Sequence, residues 1–143
     1  MENILVSACL IGIGCRYDGK HKANPEVLAL REKYNLIPVC PEIFGGLPTP
    51  RTPSERIGDK VMMKDGTDVT ENYERGAREA LELCRIYGIK RAVLKERSPS
   101  CGKGEIYDGS FTGTLTSRHG VSAELLIENG ITVYGESEIG ELI

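Results

Sequence analysis

Short apolar runs alternate along the chain with segments whose apolar residues fall three and four positions apart. The first run, Asn3-Ile4-Leu5-Val6-Ser7-Ala8-Cys9, reads as a buried strand ending on a cysteine. A Gly-punctuated loop follows, and then a short helix that Asn24 caps and Pro25 opens. Val27, Leu28, Leu30 and Tyr34 give that helix its apolar positions. Leu36-Ile37-Pro38-Val39-Cys40 is a second strand, and Pro38 marks it as an edge or irregular one. Asp68 and Glu71 have the spacing of a capping box for the longest helix. On that helix Tyr73, Ala77, Ala80, Cys84 and Tyr87 share one face, Gly76 permits close packing and Gly88 closes the last turn. Residues 91–96 form the third strand, 120–130 the last helix and 131–134 the fourth strand. This alternation predicts an α/β fold in residues 1–143: a single Rossmann-like domain, a three-layer sandwich with a mainly parallel sheet of about four strands.

The connection from 41 to 67 is too long for an ordinary turn. Its prolines stiffen it, and Ile43, Phe44 and Leu47 offer apolar anchors, so it is expected to be an ordered site loop with Arg51 near the site. Arg51 and Glu55 are candidates for an ion pair bracing it, and Lys60–Gly66 for a minor strand and turn. Gly12-Ile13-Gly14 is not a dinucleotide fingerprint, because no helix begins inside it. Tyr17-Asp18-Gly19 and Tyr107-Asp108-Gly109 read as two similar turns near one site.

Composition narrows the class. A net charge of −3 does not favour sequence-independent nucleic-acid binding. No apolar run has the ~20 residues of a membrane span. The N-terminus lacks the basic region and cleavage site of a secretory signal, so a cytoplasmic location is expected. The five cysteines form no C-x-x-C pair.

The chemistry gathers around cysteine. Ligands of parallel sheets bind beyond the carboxyl ends of the strands. Cys9 ends the first strand, Cys40 the second, and Cys101 follows the third in the rigid turn Ser98-Pro99-Ser100-Cys101-Gly102. The three are therefore expected to meet at one sheet edge. Cys84 reads instead as a small core residue. Three such thiols are compatible with an iron–sulfur cluster with one open iron, with zinc completed by a residue such as His21, or with a nucleophilic cysteine activated by Arg16 or Arg51. His21 and His119 otherwise read as solvated loop residues. Glu42, beside Cys40, and Ser98, beside Cys101, supply a carboxylate and a hydroxyl able to activate water.

Val6-Ser7-Ala8-Cys9-Leu10, Cys15-Arg16-Tyr17-Asp18-Gly19, Val39-Cys40-Pro41-Glu42, Gly45–Arg51 and Leu94–Gly102 together resemble a widespread bacterial family that includes the thiouracil desulfidases. The similarity covers essentially the whole chain. It implies a [4Fe–4S] cluster held by three cysteines, with thiouracil sulfur on the free iron and water displacing it as hydrosulfide without net redox. On this resemblance Cys9, Cys40 and Cys101 are the expected ligands, with Cys15 near enough to Cys9 to compete. Glu42 and Ser98 are the expected catalytic pair, and Ser7, Arg51 and Ser100 the expected substrate contacts. The partner is then a small thiolated pyrimidine. The reading from another class is a non-catalytic module that binds a metal or small ligand.

Overall fold

The computed structural model describes residues 1–143. Its centre is a four-stranded parallel sheet built from β1 (Glu2–Ser7), β2 (Tyr34–Val39), β5 (Arg91–Leu94) and β8 (Thr132–Gly135), in the order β2-β1-β5-β8. Successive side chains of a strand point to opposite faces, and β1 divides its residues accordingly. Leu5 joins Ala80, Cys84, Ala92, Leu94, Ala123 and Leu126 on one side. Ile4 and Val6 join Val27, Leu30, Val93, Ile139 and Leu142 on the other. The helices α3 (Thr70–Tyr87) and α4 (Val121–Glu128) cover the first face. The short helix α1 (Pro25–Ala29) and a C-terminal 3₁₀ segment, Glu136–Leu142, cover the second. The result is the expected three-layer α/β arrangement. β2 lies at an edge, where Pro38 costs no ladder hydrogen bond that the sheet needs.

Asn24 caps α1 as anticipated, its side chain accepting from the N–H groups of Glu26 and Val27. The capping box at Asp68 does not form. Asp68 is drawn into a bridge with Met62, its carboxylate accepts from the N–H and hydroxyl of Thr70, and α3 starts at Thr70 without a side-chain cap from Val69. Tyr73, Ala77, Ala80 and Cys84 are buried along α3, whereas Tyr87 is exposed.

The segment between β2 and α3 is more structured than an extended loop. It holds a one-turn helix α2 (Pro41–Phe44) and the antiparallel hairpin β3 (Ser54–Ile57) and β4 (Lys60–Met63). Leu47 is its inward anchor; Ile43 and Phe44 instead lie on the exposed side of α2, which is too short to bury both faces. A second hairpin, β6 (Ile106–Tyr107) with β7 (Leu115–Thr116), follows the Cys101 turn.

Candidate metal and catalytic centre

The sheet reverses its direction of winding between β1 and β5, the place where α/β sheets open a crevice. Here that crevice is a cavity of about 680 Å³. Cys9 enters it from the 3₁₀ turn after β1, Cys40 from the residue before α2, and Cys101 from the turn after β5. Cys15 also lines it. Cys9 and Cys15 pack with the core of one sheet face and Cys101 with that of the other, so the two cores meet at this edge. Cys84 is buried well inside the α3 face and does not line the cavity.

The turn carrying Cys101 is fixed by Ser98. Its hydroxyl oxygen accepts from the N–H groups of Ser100 and Cys101, at 3.1 and 3.0 Å, which leaves the Ser98 proton as a donor. Gly102 and Gly120 let backbone crowd behind this turn: a Cβ at Gly102 would lie 2.8 Å from the Ser98 carbonyl, and one at Gly120 2.6 Å from the Ser100 carbonyl. Arg97, just before Ser98, has φ of 66°, a left-handed conformation that non-glycine residues adopt at a cost.

The surroundings of Cys15, Cys40 and Cys101 favour the protonated thiol. Burial pushes Cys101 up to about 12, although hydrogen bonds with Ser7 and Ser100 pull it partly back. Cys40 is raised far more, by its contact with Cys15 first and by burial second. For Cys15 the bond to Cys40 pulls downward, but the bond to Cys9 and burial together prevail and raise it. A cationic metal centre here must displace these protons, which is how thiolate sites couple metal affinity to pH. Soft donors spread around a cavity suit a body of several metal and sulfur atoms. The histidines take no part: His21 accepts from the Ala23 N–H and His119 from the Gly104 N–H, and neither lines the cavity.

Glu42 lines the same cavity from the first turn of α2. One carboxylate oxygen, Oε1, accepts from Arg51 Nε at 3.2 Å and from the Tyr73 hydroxyl at 2.6 Å. Arg51 does not pair with Glu55. Its other bonds go to the carbonyls of Cys15 and Pro48 and the hydroxyl of Thr49, and its side chain is 3% exposed. These bonds use four of its five N–H groups and leave one on Nη2, and through them Arg51 ties the Cys15 loop to Glu42. Glu55 instead accepts from the N–H groups of Gly109 and Phe111, holding Phe111 at φ of 57° with its side chain on the cavity wall.

Ser7 and Ser98 line the cavity, and the Ser7 hydroxyl accepts from the Lys95 N–H. Ser100 is fully buried behind the turn, its hydroxyl 2.9 Å from that of Ser122, and does not line the cavity. The two Tyr-Asp-Gly turns match: Asp18 accepts from the Lys20 N–H, Asp108 from the Ser110 N–H, and both tyrosines border the cavity. Tyr73 is the participant that periodicity concealed, since its position on the apolar face of α3 marks it only as a core residue.

The family model for 2-thiouracil desulfurase matches residues 4–138. The chain belongs to the 2-thiouracil desulfurase family. Its similarity to the "Uncharacterized protein YbbK" of Bacillus subtilis (strain 168) is 40% identity over 150 residues, covering 98% of this chain and 99% of that protein. Among solved structures it matches the [4Fe-4S]-dependent thiouracil desulfidase TudS with a TM-score of 0.94 and 46% identity, over 99% of this chain and 95% of that one. The 2-thiouracil desulfurase match spans all three cysteine-bearing strand ends, Glu42 and the Ser98 turn. No helix is long and apolar enough to cross a membrane.

Proposed function

We infer that this chain is a desulfidase that converts a thiolated pyrimidine such as thiouracil, with water, to the oxo-pyrimidine and hydrosulfide, using a [4Fe–4S] cluster. The observation that carries this reading is the meeting of three strand-end cysteines with the Glu42 carboxylate around a single cavity. The donor set fits the cluster, because the cysteines approach the cavity from separate elements and none is committed to a disulfide. Cys9, Cys40 and Cys101 are the proposed ligands. When bound, the cluster supplies a soft Lewis-acidic iron, suited to thiocarbonyl sulfur.

The rest is the work of the chain. Glu42 is the proposed general base. Oε1 is held by Arg51 and Tyr73, and no protein donor meets Oε2, so that oxygen is free to take a proton from water. Ser98 keeps its hydroxyl proton available to the departing or entering group while its oxygen holds the Cys101 turn. Ser7, beside Cys101, borders the same space and is proposed to face the substrate. The overall change exchanges sulfur for oxygen with no net electron transfer, so no external reductant is required.

The test is anaerobic reconstitution followed by iron and sulfide analysis, thiouracil binding, and assay of uracil and hydrosulfide. Wild-type protein and Cys84→Ala should load the cluster and turn over; Cys101→Ala should do neither. Glu42→Gln should load and bind substrate while turnover falls ~10²–10⁴-fold, the usual cost of losing a general base. A fully loaded wild-type protein that binds thiouracil without releasing hydrosulfide would be a binding module and would overturn the enzymatic reading.

A further inference from the structure

We propose that Tyr73 is a positioning residue that holds Glu42 by one oxygen so that the other alone faces the reaction. This inference rests on the desulfidase reading of Glu42. Tyr73 is 1% exposed and sits in a small apolar cluster with Leu47, Val61 and Val69. Phenylalanine would satisfy that packing equally well. The hydroxyl is what sets tyrosine apart, and it donates to Glu42 Oε1 at 2.6 Å. Arg51 Nε reaches the same oxygen at 3.2 Å. Two donors on one oxygen fix the plane of the carboxylate and leave Oε2 unpartnered. Burial, reinforced by the charge of Glu42, raises Tyr73 well above the ordinary tyrosine range, so the hydroxyl stays a donor.

The backbone beneath this bond is built to the same end. α2 carries Glu42 and α3 carries Tyr73, and the two meet without intervening side chains. A Cβ at Gly76 would lie 1.9 Å from the Pro41 carbonyl oxygen, and one at Gly45 would lie 2.0 Å from that of Asn72. Asn72 Nδ2 donates to the Gly45 carbonyl at 2.8 Å, locking the C-terminal end of α2. Close glycine contacts thus flank the Glu42–Tyr73 bond at both ends of α2. Without the tyrosine hydroxyl, the guanidinium of Arg51 is the remaining donor, and its fork favours bidentate pairing that occupies both carboxylate oxygens. The base would then be held in place with no free oxygen.

The decisive variant is Tyr73→Phe, which keeps the packing. Reconstituted Tyr73→Phe should hold iron and sulfide in the wild-type ratio and bind thiouracil with unchanged affinity. Its kcat should fall about 10- to 100-fold, as expected for a misplaced catalytic group, with KM within about twofold of wild type. In a Glu42→Gln background the same substitution should cost nothing more, because its effect passes through the carboxylate. Independently of activity, a crystal structure of Tyr73→Phe should show both Glu42 oxygens turned toward Arg51. Wild-type kcat in Tyr73→Phe, an additive loss with Glu42→Gln, loss of the cluster, or an unmoved carboxylate would each overturn the proposal. Should the wild-type protein show no desulfuration at all, the desulfidase reading fails, and the crystallographic comparison still decides whether Tyr73 sets the carboxylate.

Discussion

Replacing Gly76 with alanine separates the placement of Glu42 from its chemistry. The added Cβ would sit 1.9 Å from the Pro41 carbonyl oxygen, 2.6 Å from its carbon and 3.2 Å from Cα. All three are backbone atoms of the first turn of α2, so no rotamer change relieves the clash. Ordinary contact begins near 3.4 Å, and α2 must therefore retreat by about 1.5 Å in an interior that is otherwise close-packed. Overpacking of this kind costs about 1–3 kcal/mol, while alanine regains about 1 kcal/mol of helix propensity on α3. The net loss is then about 0–2 kcal/mol, and the melting temperature should fall by no more than about 8 °C in a chain of this size. The effect on turnover should be larger, because displacing a catalytic group by about 1 Å can cost ~10²-fold. Thermal unfolding, iron content and kcat should be measured on the same preparation. Gly76→Ala with kcat within twofold of wild type would show that the α2–α3 contact does not set the position of the base. A melting temperature lowered by far more than 8 °C would show the contact to be a general support of the fold.

Two further outcomes follow from other parts of the chain. Arg56 is buried and bonds the carbonyls of Gly58 and His119 and the carboxylate of Glu124, tying the β3–β4 hairpin to α4. Arg56→Leu strands those acceptors and should cost about 2–3 kcal/mol in urea unfolding, discounted for the partial exposure of Glu124; a loss below 0.5 kcal/mol would contradict this. Burial alone would raise Glu96, but the hydrogen bonds with Ser137 and the charges of Lys95 and Arg97 outweigh it and hold the group below the usual glutamate range. Its stabilisation is therefore complete above the unfolded-state value of ~4.3 and lost as pH falls below that. Glu96→Gln should show a shallower decline in stability on acidification than wild type, with no change in slope near neutrality; parallel curves would refute the assignment.

Much of this was legible in the chain because the signals were local. Strand ends read from apolar runs put Cys9, Cys40 and Cys101 at one edge, since parallel strands must all finish on the same side. Pro38 marked β2 as an edge strand for the same kind of reason, a missing donor. What was not legible depended on pairings across long stretches of chain. Asp68 and Glu71 carry the spacing of a capping box, yet Asp68 is claimed by a bridge to Met62, which no helical pattern could reveal. The pairing of Arg51 and Glu55 looked reasonable from proximity in sequence. In the folded chain the hairpin carries Glu55 toward the 109–111 turn, where it meets backbone donors, and Arg51 finds Glu42.

Tyr73 shows the limit most clearly. Periodicity places it on the buried face of α3, and an apolar side chain would need no further reason to be there. A tyrosine at a buried position carries a hydroxyl that must be satisfied, and its donor has to meet an acceptor somewhere. That requirement alone points toward an acceptor, backbone or side chain, packed against this face of the helix. Gly76, three residues later on the same face, was the companion signal, because a glycine inside a long helix is costly unless another backbone needs the space. Together a buried tyrosine and a helix-interior glycine three positions on predict that a polar segment packs directly against that turn. In this chain the segment is α2, and its acidic residue is Glu42.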